Sequence, residues 1–420
     1  MATLKPFKGL RPVPQMADQV ASPPYDVMNP EEAREVVKGN KWSFLHVIKS
    51  EIDLPEDTNL YDKRVYEKAK ENLDYLETEK VLITDSEPRY YLYRQVINGH
   101  VQTGVVGAAS VDEYFDGTIK IHEQTTVDKE QDRINHMETC NAHTGPILMF
   151  YQDYSQVDAI VESWALSHKP CYDFVSDDQV QHVFWVVDDL TVIEELEVAF
   201  GEVDSFYVAD GHHRTAAAAK VAKKRQEAAN GITGEESFNS FLSVMFPSKQ
   251  VNIIDYNRVV QLNGISSEQL IEKIEKSFDV TKAARNAPFK PAKRHQFGMY
   301  LDDEWYQLEA KPTVVEESDP VKSLDVYILQ NNLLTPVLGI GNPRTDKRID
   351  FVGGARGLGE LEKRCNCGIR NVAFALYPTS IDELITVADA NLLMPPKSTW
   401  FEPKLRSGLI VHKLDDYMNN

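Results

Sequence analysis

Ser205–Ala219 reads SFYVADGHHRTAAAA, and no other stretch says as much about the fold. SFYVA (205–209) is aromatic and β-branched, the composition of a buried strand. Asp210 and Gly211 make a turn, and the alanine-rich run from His212 to Asn230 continues as a helix. A strand that turns on glycine into a helix leaves the first helical amides without acceptors. With the positive end of the helix dipole, those amides form an anion site. Gly211 lets a ligand come close to the backbone. His212, His213 and Arg214 add donors, and an arginine fork matches the geometry of a phosphate. Asp210 is placed to bind Mg²⁺ or to orient a histidine. A plain helix cap is the alternative for any Asp-Gly before a helix, but two histidines and an arginine in one turn favour a phosphate site.

Outward from this turn, strands and helices mix without regular βαβ alternation, which predicts an α+β fold rather than a doubly wound parallel sheet. The first sixty residues are irregular and rich in proline, and SPPYD (22–26) cannot lie inside a helix. Tyr61, Val65, Ala69, Leu73 and Leu76 share one helical face. Asn98-Gly99 between alternating strands marks a hairpin. The stretch Asp116–Asn141 is polar and carries IHEQ. Residues 157–164 predict a helix, HVFWVV (182–187) a strand, and FNSFLSVMF and IIDYNRVV two more strands. SSEQLIEKIEKSF and DVYILQNNLL predict helices, FGMYLDDEWYQLEA a hairpin, and Ser380 with Glu383 a capping box. The expected division is 1–115, an N-terminal α+β region; 116–263, the core with HEQ and DGHHR; and 264–420, a C-terminal α+β domain.

The 420 residues include 65 acidic and 45 basic side chains, a formal net charge of −20. Such a surface repels nucleic-acid backbones and anionic lipid, so no nucleic-acid or membrane partner is expected. No apolar run approaches the roughly 18–20 residues of a membrane span, and the N-terminus has no signal-peptide core. Four cysteines are too few for a disulfide scaffold, and Cys365-Asn366-Cys367 has no second pair for zinc. A cytoplasmic protein with reduced cysteines is expected.

Two further motifs carry chemistry. His122-Glu123 resembles the start of a zinc-protease helix, but the histidine required three residues after the glutamate is replaced by Thr126. A glutamate in a polar loop can instead take a proton from a substrate hydroxyl, although on local sequence alone it reads as a solvated surface residue. MPPKSTWFEPKLRSG (394–408) ends like a Walker loop at Lys397-Ser398-Thr399, yet Asn391 and Pro396 stand where that loop needs glycine. Two prolines stiffen a segment bearing Lys397, two hydroxyls, Lys404 and Arg406: a second anion-binding element, or a tail loop packed by Trp400 and Phe401. FVGGARGLGELE (351–362) lacks dinucleotide-binding spacing. The basic run Lys220–Arg225 reads as the solvated face of its helix.

Taken together, HEQ (122–124), VADGHHR (208–214) and PKST (396–399) resemble the archaeal free-serine kinases of the ParB/sulfiredoxin-like superfamily. SPPYDV, NRVV (257–260) and MPPKSTWFEPKLRSGL extend the resemblance, over nearly the whole chain, to the domain of unknown function 1015 family. The resemblance implies a ParB/sulfiredoxin-like nucleotide-binding core with an insertion between HEQ and DGHHR. It makes Glu123 the base that deprotonates the acceptor, Asp210 to Arg214 the phosphate-binding segment, and Thr399 an active-site residue. Arg-His follows that threonine in the kinase; Trp400-Phe401 stand here, which counts against serine more than against phosphoryl transfer. A sulfiredoxin would need a cysteine where His212 and His213 stand, and the acidic charge does not suit a DNA clamp.

The expectation is therefore a small-molecule kinase. It would move a phosphoryl group from ATP or ADP, with Mg²⁺, to a small hydroxylated metabolite, free serine or a relative. Lys397, Ser398 and Thr399 would hold substrate or phosphate. The rivals are a nucleotide-binding regulatory protein without an acceptor, and a nucleotide hydrolase. The sequence leaves the oligomeric state open.

Overall fold

Asn98 and Gly99 both take positive φ, 50° and 81°, as a type I′ turn demands. They join Tyr90–Ile97 to His100–Ser110 in a tight antiparallel pair. The protein is seen here as a computed structural model describing residues 1–415 other than 230–232, 263, 285–286 and 369. Asn263 and Asn230, where the sequence sets a boundary and a helix end, lie outside the described residues.

The chain forms two units. The first takes residues 1–121, 125–251 and the chain from Pro403; the second takes His122–Gln124 and Asn252–Glu402. In the first, a mixed sheet runs Ile119–Lys120, Phe206–Asp210, Ile147–Tyr151, Ser240–Pro247, His100–Ser110, Tyr90–Ile97, Gln181–Val187, Tyr172–Val175, and Leu4–Lys5 joins His100–Ser110. Ile147–Tyr151 pairs parallel with Ser240–Pro247 and antiparallel with Phe206–Asp210, the mixture expected of an α+β fold. His100–Ser110, from the stretch read as an N-terminal region, pairs with Ser240–Pro247 from the stretch read as the core. Main-chain pairing thus unites the two.

His212–Ala228 is the helix the alanines predict, with Ala216 to Ala219 buried. Ala217, Ala218 and Ala219 pack with Val208, Met149 and Phe206 in the core of the first unit. Within the polar stretch 116–141, for which the sequence names no element, Val127–Cys140 is a helix packed against His212–Ala228. Its buried residues are Glu130, His136, Met137 and Cys140, so no apolar period announces it. Arg225 corrects the solvated-face reading of Lys220–Arg225: it is buried and donates to the Asp415 carbonyl. The segment Lys63–Thr78 is helical, with Val65, Ala69, Leu73 and Leu76 buried as the spacing predicts.

The second unit is built on an antiparallel sheet in the order Phe278–Lys282, Glu304–Ala310, Gln296–Leu301, Val372–Leu376, Tyr256–Val260, Ile349–Gly353. Asp302 and Asp303 turn its predicted hairpin with positive φ. Ser380 and Glu383 form the reciprocal cap of Ile381–Asp389. Among the described residues no helix is long and apolar enough to cross a membrane, and the four cysteines are free thiols.

Candidate functional site

The candidate residues fall in both units, and each group is described within its own. In the first unit the pairing of Phe206–Asp210 shifts register between Val208 and Asp210. Such an irregularity re-aims a side chain at a strand end. Gly211 follows at φ 111°, and a Cβ there would lie 3.1–3.2 Å from the Arg214 guanidinium. The backbone angle therefore favours glycine, and the Arg214 guanidinium leaves a Cβ little room. Gly211 is the N-cap of His212–Ala228 and, being glycine, offers no side chain to cap the helix.

Asp210 is gripped by two cations. Its Oδ1 accepts from Lys404 Nζ at 2.7 Å and its Oδ2 from Arg214 Nη2 at 3.0 Å. Burial by itself would raise this carboxyl, but the charges of Lys404 and Arg214 outweigh it and hold Asp210 well below the usual carboxylate range. Arg214 also donates through Nη1 to the Pro146 carbonyl, so its guanidinium is anchored by the protein. His213 accepts through Nε2 from the Thr126 amide at 3.2 Å, which ties the turn to the cap of Val127–Cys140. His212 is buried at the start of the helix. Lys404 is the cation that sequence reasoning placed in a loop of undecided role. Arg406 is a latch, donating to Asp178 at 2.6 Å and to Ser176 at 3.0 Å.

In the second unit HEQ and PKST come together. His122 is buried, its Nε2 lies 3.1 Å from Thr399 Oγ1, and its carbonyl accepts from the Met394 amide. Ser398 is spent on the loop itself, its hydroxyl donating to the Pro395 carbonyl. Lys397 has a φ of 61° and carries its ammonium 5.7 Å from the Tyr256 ring centroid. Arg258 of NRVV is buried, donates to the Lys397 carbonyl at 2.9 Å, and is pushed down to about 10 by burial. Burial also raises the Tyr256 phenol, an effect opposed by Lys397 and Arg258 and reinforced by the charge of Glu123. Glu123 is half-buried, and among the described residues its carboxylate has no hydrogen bond or ion pair. Trp400 packs on Gly353, where a Cβ would come within 2.8 Å of the indole, and meets Tyr256 edge-on at 5.0 Å.

The surroundings of Asp210 do not fit a Mg²⁺ held by the protein. Both carboxylate oxygens already face cations, and among the described residues no group of three or more His, Cys, Asp or Glu could hold a metal. Mg²⁺ binds through few carboxylates and the phosphates of its nucleotide.

Fold and sites together define an α+β protein with a glycine-turned helix start in one unit and a glutamate beside a stiffened lysine-hydroxyl loop in the other. The sequence profile described as "Protein of unknown function (DUF1015)" matches residues 4–327, and the chain belongs to that family. No curated protein matches. Similar solved structures include a conserved hypothetical protein from Pyrococcus furiosus at 14% identity and TM-score 0.35, covering 72% of this chain and 93% of that one. A free serine kinase in complex with AMP is similar at 12% identity and TM-score 0.35, covering 71% and 86%. SbnI from Staphylococcus aureus, truncated at its C-terminus, is similar at 14% and 0.38, covering 71% and 82%.

Proposed function

We propose that this protein is a small-molecule kinase that transfers a phosphoryl group from ATP or ADP to a hydroxyl of a small metabolite, free serine or a relative. The observation that carries the reading is the contrast between two motif carboxylates. Asp210 is fixed between Lys404 and Arg214 and holds no proton near neutral pH, so it organises charge at the turn. Glu123 has no competing partner among the described residues and is suited to accept a proton. Phosphoryl transfer asks the protein for positioned reactants, charge stabilisation on the moving group and a base for the nucleophile. The first-turn amides after Gly211, with Lys404 nearby, take the nucleotide phosphates. Glu123 removes the acceptor's proton as the oxygen–phosphorus bond forms, and the nucleotide leaves with the electrons of the broken bond. Lys397 and Thr399 hold substrate. Mg²⁺ enters as part of the nucleotide substrate, and no step is assigned to a metal on Asp210.

The test supplies purified protein with MgATP or MgADP and a panel of amino acids and small alcohols, and follows phosphorylated product by mass spectrometry. A product that requires both nucleotide and acceptor supports the reading. Phosphate release unaffected by every acceptor would make the protein a hydrolase, and nucleotide binding without turnover would make it a regulator.

A further inference from the structure

The segment SPPYD is absorbed by none of this, yet it is firmly placed. In the first unit Ser22 pairs with Ser407 as an antiparallel bridge, each amide donating to the other's carbonyl at 2.9–3.0 Å. This stitches the proline segment to the LRSG end of the late loop. Just beyond, the Tyr25 ring lies 4.0 Å from the Arg133 guanidinium. Tyr25, Arg133, Arg214 and Ser407 then line a single cavity with His136 and His143. Four stretches remote in sequence thus meet around one space. Gly145 helps make it, since a Cβ there would be 3.3 Å from Arg214 and 3.6 Å from the Ser407 hydroxyl.

The chemistry of this lining is selective. In a chain of net charge −20, two guanidinium groups line the cavity, and none of its lining residues is an aspartate or glutamate. Arg133 uses Nε and Nη2 on Asp132, which leaves Nη1. Among the described residues Arg133 Nη1, the Tyr25 hydroxyl and the Ser407 hydroxyl have no hydrogen-bond partner. Burial pushes the Tyr25 phenol up to about 12, so it remains a donor at neutral pH. Burial likewise holds His136 down at about 4 and His143 well below its ordinary value, so both rings are neutral. The positive charge is that of the arginines, each of which is also paired with an aspartate outside the lining, Arg133 with Asp132 and Arg214 with Asp210. The cavity volume is about 30 Å³, against roughly 10–15 Å³ for one water, which suits a group the size of a carboxylate.

We infer that this cavity binds the carboxylate of a small metabolite, held by Arg133 Nη1 and the hydroxyls of Tyr25 and Ser407, with Arg214 supplying further positive charge. The cavity shares Arg214 with the Asp210 turn, but the inference does not rest on the phosphotransferase reading.

Saturation-transfer NMR and thermal-shift titration of the full chain test it with acetate, glycolate and glycine, their neutral amides, and inorganic phosphate. The acids bind saturably and raise Tm, while the amides bind at least tenfold more weakly. Tyr25→Phe keeps the ring on Arg133 and weakens the acids about threefold or more; Arg133→Gln, checked for folding by circular dichroism, weakens them at least tenfold. Equal binding of acids and amides, absence of acid binding, or acid affinity unchanged in Tyr25→Phe would overturn the inference. So would phosphate binding more tightly than every carboxylate, which would make the cavity a phosphate site. Failure of nucleotide binding or phosphoryl transfer would leave these results standing.

Discussion

Asp210 in the first unit and Glu123 in the second are both carboxylates in short polar motifs, yet their neighbours give them opposite properties. Asp210 has an ammonium on one oxygen and a guanidinium on the other; Glu123 has neither. A carboxylate so compensated is an electrostatic fixture, because protonating it would strand two cations. One left without a partner can exchange a proton during a reaction. The histidines differ in the same way. His136, His182 and His412 of the first unit are kept neutral by burial, at about 4, about 3 and about 4. His295 of the second is raised by its hydrogen bond to Asp325, against the effect of burial.

The largest effect falls on the second unit's glutamate. Glu123→Gln lowers kcat by about 10²–10⁴ and leaves nucleotide affinity within about twofold, as steady-state kinetics and calorimetry will show. Undiminished turnover would end the contrast as a functional one.

Acid separates the units next. A histidine whose folded value is depressed contributes stability that is fully present above its unfolded value of about 6.5 and is lost as pH falls towards the folded one. Between pH 6.5 and 4 the first unit loses on the order of 1.4 kcal/mol per pH unit for each such histidine, with His46, raised by Asp53, opposing in part. His295 has the reverse sign: its contribution is present below about 6.5 and lost as pH rises through its raised value. Hydrogen exchange at pH 5 and 7 will show protection falling in the first unit while the second holds. Equal loss in both would contradict the assignment.

Asp210→Asn leaves Lys404 and Arg214 facing a neutral amide. We expect a cost of about 2–3 kcal/mol, below that of breaking a fully buried pair, read as a lower midpoint in urea. A cost near zero would show the pairs to be surface ornaments. The smallest effect is Gly211→Ala, at about 1–2 kcal/mol for a non-glycine residue at that positive φ. Weaker nucleotide binding should accompany it, whereas Gly117→Ala, also at positive φ with nothing within 4 Å of its Cβ, should leave binding intact.

What the sequence disclosed follows from the range of the forces involved. The turn at Asn98-Gly99, the cap of Ser380 with Glu383 and the strand–glycine–helix order around Asp210 obey local rules and were legible. Val127–Cys140 was not, because its buried side includes a glutamate and a histidine in place of an apolar stripe. Nor could local pattern reveal that Lys404 neutralises Asp210, that Tyr25 covers Arg133, or that His122 meets Thr399. Those contacts join residues far apart in the chain. The resemblance grouped HEQ, DGHHR and PKST by their order alone; the structure adds that His122 and Thr399 touch.

If the turn after Asp210 holds nucleotide phosphate, calorimetric titration of the full chain with ATP and ADP will show it. Binding should be saturable, weaken at least tenfold in Lys404→Met and stay unchanged in Glu123→Gln. Absence of binding by the wild-type chain, or binding indifferent to Lys404, would contradict it.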